Sequence, residues 1–230
     1  MTPDVYNFAS HVYREPAMSA SANTSMETPN SRERQRLQTR AQILSAAIDG
    51  FARSGFEATS LAEVARRAGV KKALVQYHFA TKEQLWKEAA LLIWQQRNDF
   101  LRDILATPDE PDLTEQMRRG FVALVEFSLE HPQWLWFMFH EAAVGGDRQA
   151  WLLDKCLARD YRLGEAFVRQ FQRQGLIREG SPMQLLHLIS GALTYNLLVA
   201  PTTLRATGLD LSSREAIDEQ VALLQQLLRP

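Results

Sequence analysis

The chain of 230 residues contains a single cysteine, Cys156. That excludes an internal disulfide framework and fits a reducing compartment. No basic start followed by an apolar run opens the sequence, so no signal segment is expected. The most apolar stretch, residues 185–200, carries His187, Ser190, Thr194 and Asn196 and is shorter than the ~20 residues of a spanning helix. These absences predict a cytoplasmic protein with no membrane partner. Also missing are a nucleophile elbow, a glycine loop that cradles phosphate, and a metal-spaced cluster of His, Cys and carboxylates. No catalytic residue, metal or cofactor is therefore expected. His78 has no ligand partner at suitable spacing, and His140 and Glu141, as neighbours on a helix, do not face each other. Sustained strand alternation is absent as well, which leaves an all-α fold.

What is present is an uneven distribution of charge. The net charge of −1 conceals a balance of +5 over residues 31–90, from 11 Lys/Arg against 6 Asp/Glu, with −2 before and −4 after. A basic segment joined to an acidic remainder suggests that only the former meets a polyanion. Residues 1–30 are rich in Ser, Thr, Ala, Asn and Pro without apolar periodicity, the pattern of a disordered tail. Met1, Met18 and Met26 are alternative starts.

From Ser31 onward the apolar spacing is helical. Leu37, Ala41, Leu44, Ala47 or Ile48, and Phe51 predict a first helix from Glu33 to Ser54, stopped by Gly55. Ser60 with Glu63 and Thr81 with Gln84 form capping boxes that open further helices. Gly69 ends the first of these, and a second short helix covers Val70 to Phe79. The helix from Thr81 is long and is expected to end at Pro108 and Pro111. The rest reads as helices at 112–130, 133–144, 148–174, 182–199 and 213–228, with caps at Ser181 (Pro182 at the first helical position) and Ser212.

Two short helices around a glycine turn, behind a longer support, form a helix-turn-helix. Its second helix must enter the major groove with one face free. Leu61, Val64, Ala65, Val70 and Leu74 or Val75 pack inward, leaving Lys71, Lys72, Gln76, Tyr77 and His78 outside. Lysines neutralise phosphates, and a glutamine amide reads an adenine edge. Phe79 is expected in the core. The run ILSAAIDGFARSGFEATSLAEVARRAGVKKALVQYHFATKEQLW resembles the N-terminal signature of TetR-family regulators along its whole length. The resemblance implies that Thr59 or Ser60, together with Lys72, Tyr77, His78 and Lys82, contacts the DNA backbone while Ala73 and Gln76 approach bases. Leu74 and Gln76 depart from the Ser or Thr and the Tyr frequent there, so an operator sequence does not carry over.

Three segments are expected: a tail at 1–30, a three-helix DNA-binding domain at 31–80, and a larger helical effector and dimerisation domain at 81–230. In the last, aromatics gather unusually, with a few polar groups among them. Trp94, Phe121, Trp134, Phe137, His140, Trp151, Tyr161 and Tyr195 are candidate ligand contacts for a small apolar or aromatic effector. Asn196 is a further polar anchor, and Trp136 and Phe139 are expected as core. Ile217, Val221, Leu224 and Leu228 make a stripe widened by Leu223 and Leu227, and the 182–199 helix is apolar on nearly all sides. The family resemblance implies that these two helices form a homodimer interface, with double-stranded DNA bound at a palindromic operator. The alternatives are a helical small-molecule adaptor without DNA binding, or an enzyme.

Overall fold

A computed structural model of the protein describes residues 30–105 and 112–230. Most of the expected tail, and Pro108 and Pro111, lie outside the described residues. The chain divides into two compact units, 1–36 and 37–230. The described part of the first is the opening of α1 (Ser31–Ala58), where Glu33 N–H donates to Asn30 Oδ1 at 2.9 Å.

The second unit is helical, with no strand among the described residues. It continues α1 and adds α2 (Leu61–Arg67), α3 (Lys72–His78), α4 (Lys82–Leu105), α5 (Leu113–Glu130) and α6 (Gln133–Val144). There follow α7 (Asp147–Leu152), a π-helical turn (Leu153–Leu157), α8 (Ala158–Arg173), α9 (Pro182–Thr207) and α10 (Arg214–Leu228). Gly55 takes φ 71° and ψ 178° inside α1, so the expected stop is a kink, after which one more turn follows.

The capping residues show how local chemistry sets the helix starts. Ser60 Oγ accepts from Glu63 N–H at 3.1 Å, but the Glu63 carboxylate turns to Arg66 and Arg67 instead of closing the box. At α4, Thr81 Oγ1 accepts from Gln84 N–H (3.0 Å), and the Gln84 side chain reaches back to Ala80 N–H (3.1 Å). The cap of α10 is Ser213 and not Ser212, because Ser212 turns its hydroxyl to Asp210. The expected end of the 182–199 helix is also corrected. Pro201 has no N–H for the carbonyl four residues earlier, yet α9 continues past it and closes at Gly208 in the left-handed conformation. At 26 residues, α9 is long and apolar enough to cross a membrane by length and composition, with 22% of its most apolar window buried.

Two apolar cores result. One joins α1 through α4 to α6 and α7 around Phe51, Phe79, Trp86, Trp94, Trp134 and Phe137. The other joins α5, α8, α9 and α10 around Phe121, Val168, Phe171, Leu193 and Val221. Trp86 meets the rings of Phe137 and Trp151 at 6.0 and 5.6 Å. The first core therefore extends without a break from the short helices into the C-terminal region. Trp136 and Phe139, expected in the core, are instead exposed on α6, 6.4 Å from each other. They fall on the side of α6 opposite Trp134, Leu135 and Phe137.

Candidate nucleic-acid interface

The support for α3 comes from one of its own residues, the residue that caps its end, and a neighbour. Val75 and Phe79 are fully buried, and the Arg40 guanidinium lies 5.1 Å above the Phe79 ring while pairing with Glu88 of α4. The α2–α3 turn is made by Gly69 at φ 66°, a conformation costly for other residues. So held, α3 turns Lys72, Ala73, Leu74, Gln76 and Tyr77 to solvent, with Lys71 just ahead of them. Tyr77 is 73% exposed. Leu74 is not one of the inward residues, since Val75 alone fills that position. His78 is half-buried, with its ring 5.2 Å from that of Tyr77.

Two of the expected backbone contacts have other engagements. Thr59 is buried, and its hydroxyl lies 3.0 Å from the Gly50 carbonyl and 2.8 Å from the Gly55 carbonyl. The hydroxyl is aimed into the kink of α1, so Thr59 is a tie within the protein and Ser60 is the exposed member of the pair. Lys82 Nζ donates to the Glu57 carbonyl at 3.2 Å and lies 4.3 Å from the centre of the Phe56 ring. On α2, the guanidinium groups of Arg66 and Arg67 hold the Glu63 carboxyl down at about 2.

Residues 43–89 match the family model of the bacterial regulatory proteins of the tetR family. Over these residues the chain is similar to the TetR family. That is a family of DNA-binding regulators, and the matched residues include α2, the glycine turn and α3, a helix-turn-helix. The "Probable acrEF/envCD operon repressor" of Escherichia coli (strain K12) is 25% identical over 140 residues, 58% of this chain and 56% of that protein. The chain thus aligns with little more than half of that relative's length. The regulator RutR of the same organism is 23% identical over 212 residues, 88% of this chain and 94% of RutR. A solved TetR-family regulator from Marinobacter aquaeolei VT8 has the same fold, with a TM-score of 0.65 at 22% identity, over 85% of this chain and 98% of that one.

The candidate ligand residues are not gathered in one place. Trp94, Trp134, Phe137 and Trp151 belong to the first core and Phe121 to the second, where it meets Phe167 at 6.2 Å. Tyr161 lies against His187 at 5.5 Å, and Tyr195 is 62% exposed on α9, on the stripe of Leu188 and Gly191. His140 faces α1, its Nε2 3.1 Å from the Ala52 carbonyl oxygen.

The sequence reading missed the polar centre of the first core. Arg97, 6% exposed, pairs with Asp160 of α8 and lies 5.7 and 4.9 Å from the rings of Trp94 and Trp134. Trp94 Nε1–H also donates to Asp160, at 3.1 Å. Arg97 continues the inward stripe of Ala90, Ile93 and Trp94, and a charge on such a stripe was the available signal. A cavity of about 410 Å³ elsewhere is lined by Thr114, Met117, Gly175, Leu176, Gln225, Arg229 and Pro230. None of the eight candidate ligand residues lines it.

Proposed function

We propose that the chain is a ligand-responsive transcriptional repressor that binds a palindromic operator in double-stranded DNA as a homodimer. The observation that carries the reading is the geometry of α3, anchored by Val75 and Phe79 with Lys72, Gln76 and Tyr77 turned outward. Lys71, Lys72 and Lys82, with Ser60, Tyr77 and His78, hold phosphates. Ala73 and Gln76 meet base edges, and Leu74 is placed to meet a thymine methyl group. Residues 31–80 act as the reading domain and 81–230 as the effector and dimerisation domain, in the cytoplasm.

Support for the dimer comes from one exposed apolar face shared by α9 and α10. Leu188 and Tyr195 on the former and Leu223 and Leu227 on the latter are all more than half exposed, and Gln220 of α10 donates to the Ala192 carbonyl of α9. A second copy covers such a face and spaces two reading helices about 34 Å apart, one turn of B-DNA. A small apolar or aromatic effector fits best between α4, α6 and α8, at Trp94 and Trp134. Arg97 and Asp160 supply the polar contacts there. The rings pack on one another in the described conformation, so the ligand selects a conformation in which they part.

The test is fluorescence anisotropy with DNA from upstream of the protein's own gene and with random DNA. Lys72→Ala should weaken both and lower the slope of log affinity against log salt by about 1. Gln76→Ala should weaken the operator complex by ~1–3 kcal/mol and leave random DNA nearly unaffected. No binding to either DNA by the wild type defeats the reading.

A further inference from the structure

The corner between α6 and α7 packs on the kinked end of α1, immediately before the helix-turn-helix. Arg148 forms the centre of this contact. Its Cζ lies 4.0 Å from the centre of the Phe56 ring, and its Nη1 is 3.4 Å from Glu57 Oε1. Behind it stands Glu141, a carboxylate only 2% exposed, which accepts from Arg148 Nε at 3.1 and 3.3 Å. His140 adds its contact to the Ala52 carbonyl, and its ring lies 3.3 Å from the place a Cβ on Gly55 would occupy. Phe56 in turn stacks on Phe51 at 5.9 Å and meets Trp86 edge-on at 6.4 Å. A buried carboxylate is costly unless paired. Glu141 therefore commits Arg148 to this place, with the guanidinium over the Phe56 ring at the α1 end.

The segment so gripped is where the backbone departs from helix. Gly55 breaks the dihedral pattern, Thr59 ties the turn back to Gly50 and Gly55, and Ser60 then starts α2. The direction in which α2 and α3 leave α1 is decided in these few residues. We propose that Arg148 is a positioning residue for DNA reading, which fixes the kinked end of α1, and so the angle of α3, from the C-terminal domain.

The same helical run carries a second contact. It begins after Gly145 and Gly146, both at positive φ, and passes through the π-helical turn into α8. Asp160 stands twelve residues beyond Arg148, about 18 Å at the helical rise, and there it holds Arg97 and Trp94 of α4. π-Helical turns occur frequently at functional sites. One end of this run thus touches the polar centre proposed for the effector, while the other grips the base of the reading helices. A ligand that separates Asp160 from Arg97 acts on Arg148 through the run. The inference rests on the proposed DNA-binding function.

The test uses the full chain. Arg148→Met combined with Glu141→Gln removes both charges at nearly constant size, so no carboxylate is left buried and unpaired. Three quantities are measured: affinity for the operator and for random DNA, amide hydrogen exchange over residues 52–60 without DNA, and melting temperature with sedimentation. In a folded double variant of unchanged assembly, operator affinity should fall at least tenfold and random DNA affinity less than twofold. Exchange over 52–60 should quicken at least tenfold. Operator affinity and exchange like the wild type would overturn the proposal. If the double variant fails to fold, Arg148→Lys decides. It keeps the counter-charge of Glu141 but lacks the flat guanidinium, so the same changes should appear in smaller degree, and wild-type behaviour would refute the role. If the wild type binds no DNA, the function fails, and exchange over 52–60 still decides whether Arg148 holds the kink.

Discussion

Thr59 stands at the entrance of the reading helices with its hydroxyl turned inward, where two carbonyls lie within hydrogen-bond distance. The TetR resemblance places a phosphate contact at Thr59 or Ser60, and only the direction of the side chain separates them. That direction depends on the kink at Gly55, which no residue spacing encodes. Thr59→Val keeps the shape and removes the donor. It should lower stability by about 1–3 kcal/mol, the cost of losing a buried hydroxyl–carbonyl hydrogen bond, and leave the salt slope of DNA binding unchanged. Urea denaturation and a salt titration measure the two effects. A stable variant with a reduced slope would restore Thr59 to the DNA. Cys156 illustrates the reverse case, a polarisable group removed from chemistry. Burial, aided by the nearby Asp160 carboxylate, pushes its thiol up to about 11, so it stays protonated at pH 8 and should react with thiol reagents only as the protein unfolds. The sign follows from linkage. The neutral thiol is favoured in the fold, so its contribution is complete below the ordinary cysteine pKa near 8.5 and is lost as pH rises toward 11. Rapid labelling of the native protein at pH 8 would contradict this placement.

At the level of elements, the helices were legible because three- and four-residue apolar spacing recurs nearly everywhere, and the caps at Ser60, Thr81 and Ser181 mark their starts. The failures have physical causes. The cap expected at Ser212 falls one residue later, at Ser213, because Asp210 accepts from both the amide and the hydroxyl of Ser212. The helix expected at 182–199 runs on through Pro201 to Thr207, because a missing N–H costs one hydrogen bond and does not forbid the next turn. The outward face of α3 was legible from spacing, while Arg97 and Asp160 are separated by 63 positions and meet only through the packing of α4 on the α8 region. α2 offers a local test of its own charges. A carboxyl depressed by neighbouring guanidinium groups stabilises the fold above its unfolded pKa and loses that effect as pH falls through the folded value. For Glu63 the window runs from the ordinary 4.5 to about 2. A carboxyl-carbon NMR titration should show a midpoint near 2, moving up in Arg66→Ala. A midpoint near 4.5 in the wild type would mean that the pair does not persist in solution.

For the whole molecule, the question is which apolar residues serve the chain itself and which serve a second copy. Sequence could not divide them, since the stripe Ile217, Val221, Leu224, Leu228 and its extension through Leu223 and Leu227 run along the same helix. Packing does divide them. Leu193 and Leu224 face inward with Ile189 and Val221, whereas Leu188 is 67% and Leu227 71% exposed. A charge at Leu193 or Leu224 would leave a carboxylate in the monomer core and should unfold the protein. A charge at Leu188 or Leu227 meets water in the monomer and apolar surface only in a dimer. Leu188→Glu with Leu227→Glu should therefore yield a folded monomer, with circular dichroism unchanged and sedimentation at half the wild-type mass. Its operator complex should weaken by orders of magnitude, because two half-sites no longer bind as one event, while affinity for an isolated half-site stays near that of a single wild-type reading head. A folded double variant that remains dimeric would move the interface away from α9 and α10. Leu193→Glu is the control, since loss of helicity there and not in the exposed pair is the result that assigns the two faces to their separate roles.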